Sequence, residues 1–165
     1  MKKIMFCAAV FIYCLFVALS GNAQNKPNIP YAVKSSFNEH FKDVKEVRWT
    51  QLTTAYVACF SQGKEWRDAY FTDEGEFKGI GHFITIDLAT SFVREKLSSY
   101  ENYELLELYQ YECNDMGPCF FAVLTNGKNK LTLKLDPGGM VTYTQKDKIK
   151  NKTGNTQDAV ASKNQ

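Results

Sequence analysis

The sequence contains few residues of the kinds that enzymes use for acid–base and metal chemistry. Its two histidines, His40 and His82, belong to no cluster of cysteines or carboxylates with the spacing of a zinc site. It has no glycine-rich phosphate loop, no dinucleotide fingerprint and no Gly-x-Ser-x-Gly element. Nothing in the spacing supports a Cys59 nucleophile with either histidine. We therefore expect no enzymatic activity, no metal and no cofactor.

Beyond its first 23 residues the chain also lacks a long hydrophobic run. Lys2 and Lys3 precede an apolar stretch over 4–19, and Gly21-Asn22-Ala23 follows it, which is the pattern of a secretory signal peptide cut after Ala23. The alternative is a transmembrane helix, but the run is short for a span, which needs about 20 apolar residues. We expect a periplasmic or secreted protein with no membrane span in the mature chain.

The exported chain also has no excess of charge. Removing the two lysines of the signal peptide from the 20 basic residues leaves 18, equal to the 18 acidic residues. A balanced chain does not provide the basic field that a general nucleic-acid-binding protein needs. We expect a polar leader at 24–28, one folded domain at 29–145 and a polar tail at 146–165 with too few apolar residues to order itself.

Three cysteines remain after export, and no pair has the Cys-x-x-Cys spacing of a redox site. Cys113 and Cys119 flank a short segment of turn residues in a compartment where disulfides persist. The two are a candidate disulfide bond, and two thiols flanking a hairpin are the alternative. Cys59 is expected to lie elsewhere in the sheet and to stay reduced.

The chain does contain an internal similarity. Gly63 and Gly75 are separated by 12 residues, as are Gly127 and Gly139, and an offset of 64 relates the two pairs. Each pair lies among alternating apolar and polar residues that are typical of hairpins. The similarity predicts two copies of one supersecondary unit, at 29–84 and 85–145.

Local patterns predict which elements each copy contains. Apolar residues spaced by four predict helices at about Tyr31–Phe41 and Ile86–Leu97, with Asp87 near the start of the second. Alternating patterns predict about four strands after each helix. The expected fold class is α+β: two tandem repeats of one helix plus about four antiparallel strands, joined in one sheet with the helices on one face.

The folded part of the chain, at 29–145, also resembles a known family. The residues that carry the resemblance are Ile29, Pro30, Val33, Phe37, Phe41, Val47, Trp49, the Gly63-Lys64 hairpin, Phe71, Asp73 and Gly75. In this order they resemble the PepSY-like, beta-lactamase-inhibitor-like domain of exported Bacteroidetes-type proteins. The second copy departs from the pattern at Asp87 and has no tryptophan matching Trp49. The resemblance implies tandem helix-plus-sheet repeats and an inhibitor-like protein.

The candidate binding residues lie on the strand after the first hairpin. Trp66, Asp68 and Tyr70 alternate with Ala69 and Phe71, so we expect the first three to share the sheet face away from the core. Aromatic rings with polar neighbours are typical of protein-binding surfaces. The tail or a second copy covering this face, or rings that pack on each other, are the alternatives.

Together these observations predict an exported non-enzymatic binding or inhibitor-like module whose sheet face holds a protein or peptide of the cell envelope. The alternative is a periplasmic small-molecule carrier or hydrolase with a pocket between helices and sheet. The sequence does not predict the oligomeric state.

Overall fold

A computed structural model describes residues 27–114 and 116–149. The predicted signal peptide, its cleavage site and nearly all of the polar tail lie outside these residues. The elements are α1 Tyr31–His40, β1 Val47–Gln51, β2 Tyr56–Gln62, β3 Glu65–Phe71, β4 Phe77–Phe83, a 3₁₀ helix Ile86–Leu88, α2 Ser91–Ser98, β5 Glu104–Cys113, β6 Gly117–Thr125, β7 Asn129–Leu135 and β8 Val141–Lys148. No helix among the described residues is long and apolar enough to cross a membrane.

The eight strands form one antiparallel sheet in the order of the sequence, β1 to β8. The fold class predicted from the sequence, α+β with two tandem helix-plus-strand repeats, is therefore wrong. The described chain is mostly one continuous eight-stranded sheet, and its two α-helices have only 10 and 8 residues.

The pairing of β4 with β5 explains why the halves are not separate units. These strands are hydrogen-bonded from Gly79 opposite Cys113 to Phe83 opposite Tyr109, so the ladder crosses the expected repeat boundary without a break. A buried cluster on one sheet face also draws residues from both sides of that boundary, including Tyr70 and Tyr109. Backbone pairing and side-chain packing thus join the halves into one cooperative sheet.

Helix α1 agrees with its sequence prediction to within one residue at its end. Pro30 precedes the first turn, where a missing N–H removes no helical hydrogen bond. Val33 and Phe37 are buried one turn apart. The Phe37 ring meets those of Trp49 and Phe60 edge-on at 5.3 Å, which fixes α1 across β1 and β2.

Helix α2 begins later than the sequence predicts. The predicted start at Ile86 and the role of Asp87 near the cap are wrong, because Ile86–Leu88 forms a separate 3₁₀ helix. The N-cap is Thr90, whose Oγ1 accepts a hydrogen bond from the Val93 N–H at 3.2 Å and donates one to the Pro137 carbonyl at 2.8 Å. A capping hydroxyl that also ties down the β7–β8 turn gives Thr90 two structural roles.

Each helix covers its own apolar cluster on the same side of the sheet. The cluster under α1 contains Ile29, Val33, Phe37, Tyr56, Ala58, Phe60, Ala69 and Phe71. The cluster under α2 contains Ala89, Val93, Leu97, Leu108, Phe120, Ala122, Leu124, Leu131, Leu133 and Leu135.

Strand β8 continues to Lys148, three residues past the boundary expected at Gln145.

Two of the glycines spaced in register along the sequence bring turns against the helices. Gly75 and Gly139 have φ of 89° and 79°, a conformation that L side chains rarely adopt. A Cβ at Gly75 would lie 2.7 Å from the carbonyl carbon of Ala32, and one at Gly139 would lie 2.6 Å from the Phe92 carbonyl oxygen. The absence of a side chain lets each hairpin turn touch the first turn of a helix.

Candidate functional site

The sheet face opposite the helices, here called the open face, carries the candidate site. No α-helix among the described residues packs on it, and alternate residues of neighbouring strands provide it. The residues of the open face used below are Arg48, Val57, Cys59, Trp66, Asp68, Tyr70, Gly79, Gly81, Phe83, Tyr109, Tyr111, Cys113, Cys119 and Phe121.

The structure brings Trp66, Asp68 and Tyr70 to this one face, because the intervening Ala69 packs under α1. Their exposures differ, however. Trp66 is 53% exposed and Asp68 is half-buried, whereas Tyr70 is only 5% exposed. Trp66 is therefore available to a partner, and Tyr70 belongs to the packing of the sheet.

Tyr70 is buried by other tyrosines of the open face, as one of the sequence alternatives proposed. Its ring meets that of Tyr111 edge-on at 5.3 Å, and its hydroxyl lies 3.1 Å from that of Tyr109. The Tyr109 hydroxyl donates to Asp68 Oδ2 at 3.0 Å. Two tyrosines of β5 thus reach across β4 to side chains of β3.

Glycines in β4 make this crossing possible. Gly81 pairs with Asp68 on one side and Tyr111 on the other, and Gly79 pairs with Tyr70 and Cys113. A Cβ at Gly81 would lie 2.6 Å from Tyr109 Cζ, closer than Cβ contacts occur. The tyrosine rings therefore occupy the space that side chains of β4 would fill.

The sequence carried a signal for this arrangement. Residues 77–83 read Phe-Lys-Gly-Ile-Gly-His-Phe, with glycines two apart and so on the same face of a strand. Glycine within a strand marks the close approach of another group. Tyr109 and Tyr111 have the same spacing in β5, but the sequence does not state that β5 lies beside β4.

The electrostatics of Asp68 are set by its position beneath these rings. Burial raises the pKa of its carboxyl group above the ordinary value. Hydrogen bonds from the Cys59 thiol and the Tyr109 hydroxyl, and the positive charge of Arg48, act in the opposite direction. Both hydrogen-bond donors to the Asp68 carboxylate are therefore side chains of the sheet itself.

The two groups that donate to Asp68, the Cys59 thiol and the Tyr109 hydroxyl, have raised pKa values and stay protonated near neutral pH. Burial, followed by the charge of Asp68, raises the pKa of the Cys59 thiol to about 11. Burial raises the pKa of Tyr109 well above its usual range, and the neighbouring Tyr70 and Asp68 raise it further. Neither group is prepared for nucleophilic or proton-transfer chemistry near neutral pH.

The exposed margin of the open face is aromatic and cationic. Phe83 is 59% exposed and its ring meets that of Tyr109 edge-on at 5.0 Å. Trp66 and Phe83 each lie two residues beyond Asp68 and Gly81, the last pair of the β3–β4 ladder at this end, and so on the same face. The Arg48 guanidinium lies 4.6 Å from the centroid of the Trp66 ring. We call Arg48, Trp66 and Phe83 the aromatic margin.

The three cysteines among the described residues all lie on the open face and carry thiols. Cys113 pairs with Gly117 and Cys119 pairs with Tyr111, so the two cysteines are diagonal neighbours on β5 and β6. Diagonal positions on one face are about 7–8 Å apart, longer than the usual Cα separation of a disulfide. The structure does not join them, and the bridge stays a prediction.

The two histidines lie apart from the open face. His40 ends α1, with its Nδ1 2.8 Å from the Ser36 carbonyl oxygen and its ring 4.6 Å from that of Phe77. His82 alternates with Gly81 and Phe83 and so faces the helix side. Within residues 27–114 and 116–149, no group of three or more histidine, cysteine or acidic residues is placed to hold a metal ion.

Solved structures share this architecture, although no protein-family model and no curated protein matches the chain. A BLIP-like protein from Bacteroides fragilis is 16% identical, with a TM-score of 0.64 over 79% of this chain and 94% of that one. This chain shares its fold with a BLIP-like protein.

Structures of other Bacteroides proteins also resemble this chain. A DUF2874 family protein from Bacteroides ovatus is 20% identical, with a TM-score of 0.66 over 73% of this chain and 89% of that one. A candidate periplasmic protein from Bacteroides eggerthii is 17% identical, with a TM-score of 0.67 over 73% and 90%. At these identities the likeness concerns the fold alone.

Proposed function

We propose that this chain is an exported, non-enzymatic binding module of the PepSY-like, beta-lactamase-inhibitor-like kind, and that its open face holds a protein or peptide of the cell envelope. The observation that carries the proposal is the aromatic margin. Trp66 and Phe83 each expose more than half of their surface on a face that no described helix covers. Large exposed aromatic side chains on a rigid sheet are typical of binding surfaces.

The rigidity of the surface beneath the margin supports the same proposal. Tyr70, Tyr109 and Asp68 are hydrogen-bonded to one another below Trp66 and Phe83. A surface that is already ordered loses little conformational entropy when a partner binds. Export is supported by the predicted signal peptide and by the description of one neighbour as a candidate periplasmic protein.

The alternative, a carrier or hydrolase with a pocket between helices and sheet, finds less support. The largest fully buried side chains beneath the two helices, among them Phe60, Phe71, Leu124 and Leu133, are apolar. A pocket for a polar substrate would need convergent polar groups there. Thermal-shift screening tests this alternative, since a ligand at 100 times its dissociation constant would stabilise the fold by about 2.7 kcal/mol.

Capture of partners from a Bacteroides envelope extract tests the proposal. The variants are Trp66→Ala with Phe83→Ala, and the matched control is Phe92→Ala, which removes an aromatic ring that is 61% exposed on α2. We expect wild type and control to recover the same partner, and the double variant to lose it while keeping its circular dichroism spectrum. Equal recovery by all three proteins would contradict the proposal.

A direct inhibition assay separates an inhibitor from a binder. The purified chain is added to a panel of β-lactamases and hydrolysis of a chromogenic substrate is followed. Inhibition that the double variant loses would assign the BLIP-like activity to this face. A panel without inhibition, together with specific capture, would favour a binding module of another target.

A further inference from the structure

Arg48 is the one charged residue of the aromatic margin, and its position is unusual. It lies on β1, an edge strand of the sheet, and its side chain is exposed. The guanidinium lies over the Trp66 ring at 4.6 Å, within the range of a cation–π contact. The Arg48 side chain also forms a hydrogen bond with the Cys59 sulfur on the neighbouring strand, so the ring and the thiol together limit the orientations of the guanidinium.

The positive charge of Arg48 is not neutralised by a direct ion pair. In the part of the chain that the structure describes, Arg48 forms no ion pair with a carboxylate. The nearest acidic group on the face, Asp68, acts on Arg48 only through its charge. Its carboxylate accepts from Tyr109 and Cys59 instead, both of which belong to the sheet itself.

A guanidinium has five N–H donors, so the hydrogen bond with Cys59 leaves others for a ligand. A carboxylate matches the guanidinium edge with two parallel hydrogen bonds, which makes it the natural partner. Asp68 lies close enough to disfavour a ligand of higher negative charge, such as a phosphate dianion. Trp66 and Phe83, on either side of the same surface, would contact apolar groups next to the carboxylate.

We infer that the open face recognises an acidic peptide segment of its partner, with a carboxylate bound by Arg48 and neighbouring apolar side chains on Trp66 and Phe83. This inference rests on the proposed function and adds the chemistry of the partner. It assigns Arg48 to recognition and Trp66 to both contact and the positioning of Arg48.

Two matched peptides test the inference by nuclear magnetic resonance titration of the exported chain. The probes are Ac-Leu-Glu-Leu-amide and Ac-Leu-Gln-Leu-amide, which differ only in charge. We expect saturable shifts of the Trp66 indole N–H and the Arg48 Nε–H with the acidic probe. The glutamine probe should bind roughly 10-fold more weakly, equivalent to about 1.4 kcal/mol.

Variants test whether Arg48 is the group that binds the carboxylate of the acidic probe. In Arg48→Gln the difference between the two probes should disappear, and Arg48→Lys should keep only part of it because an ammonium cannot bind bidentately. The control Lys45→Gln removes an equal charge from an exposed side chain just before β1 and should keep the difference.

Several outcomes would overturn the inference. They are equal binding of the two probes, a preference that survives in Arg48→Gln, the same shifts with inorganic phosphate, and no saturable shift with the acidic probe up to about 10 mM. Envelope partners captured equally by Arg48→Gln and wild type, but lost in the Trp66 and Phe83 double variant, would overturn this inference alone and leave the proposed function standing.

Discussion

Replacing Gly81 with alanine tests the central feature of the open face, the passage of tyrosine rings over β4. The new Cβ would lie 2.6 Å from Tyr109 Cζ and 2.5 Å from Tyr109 Oη. Gly81 is paired with β3 on one side and β5 on the other, so the backbone of β4 cannot easily shift and the Tyr109 ring has to move to relieve the collision. That movement would break the hydrogen bond from Tyr109 to Asp68 and the contact with Tyr70.

The expected loss of stability combines two effects. Overpacking a well-packed site destabilises by about 1–3 kcal/mol, and a lost hydrogen bond to a charged group adds about 1.5–3 kcal/mol. Since the ring keeps part of its packing, we expect Gly81→Ala to lower the free energy of unfolding by about 3 kcal/mol. Urea denaturation followed by tryptophan fluorescence measures this value.

Two further variants isolate the cause. Gly138→Ala is the control, because no positive φ is involved and the new Cβ would meet only the Asp136 side chain, with Oδ1 at 3.3 Å, so its effect should be well below that of Gly81→Ala. In a Tyr109→Leu background, Gly81→Ala should lose at least about 1 kcal/mol of its effect because the ring is gone. An equal effect in both backgrounds would refute the reasoning.

The remaining predictions concern titration, capping and the cysteines. The folded pKa of Asp68 is raised above its ordinary 3.8. Wild type should therefore lose stability relative to Asp68→Asn as the pH rises from below 3.8 through the folded pKa. A difference in free energy of unfolding between the two proteins that stays constant across that pH range would contradict this. With its pKa raised from 9.0 to about 11, the Cys59 thiol should react with iodoacetamide at pH 8 about 100-fold more slowly than an ordinary thiol; a rate equal to that in denaturant would count against it. Thr90→Ala should destabilise the fold by about 1 kcal/mol in thermal or chemical denaturation, whereas Thr90→Ser should be nearly neutral. Mass spectrometry of unreduced exported protein decides whether Cys113 and Cys119 are joined; a link from Cys59 to either would exclude that pairing.

The residues along the chain determined the strands and the first helix. The antiparallel sheet is present as predicted, and α1 differs from its prediction by one residue at its end. Alternation of apolar residues and turn glycines depend on neighbours a few positions away, so the sequence states them directly. Helix α2 begins after Thr90, whose hydroxyl caps it locally and also donates to the carbonyl of Pro137, 47 residues distant, a contact that the local sequence does not show.

The tertiary structure alone decided how the strands form one unit and which candidate residues are accessible. The internal similarity suggested two repeats, but the β4–β5 ladder joins the halves, and strand pairing over long separations is not encoded in local periodicity. Trp66, Asp68 and Tyr70 share a face, as their alternation predicted. Tyr109 and Tyr111, which lie over the glycines of β4, bury Tyr70, and Tyr109 donates a hydrogen bond to Asp68, whereas Trp66 stays exposed beside Arg48. Burial depends on what the rest of the chain places above a residue, and that information lies in three dimensions.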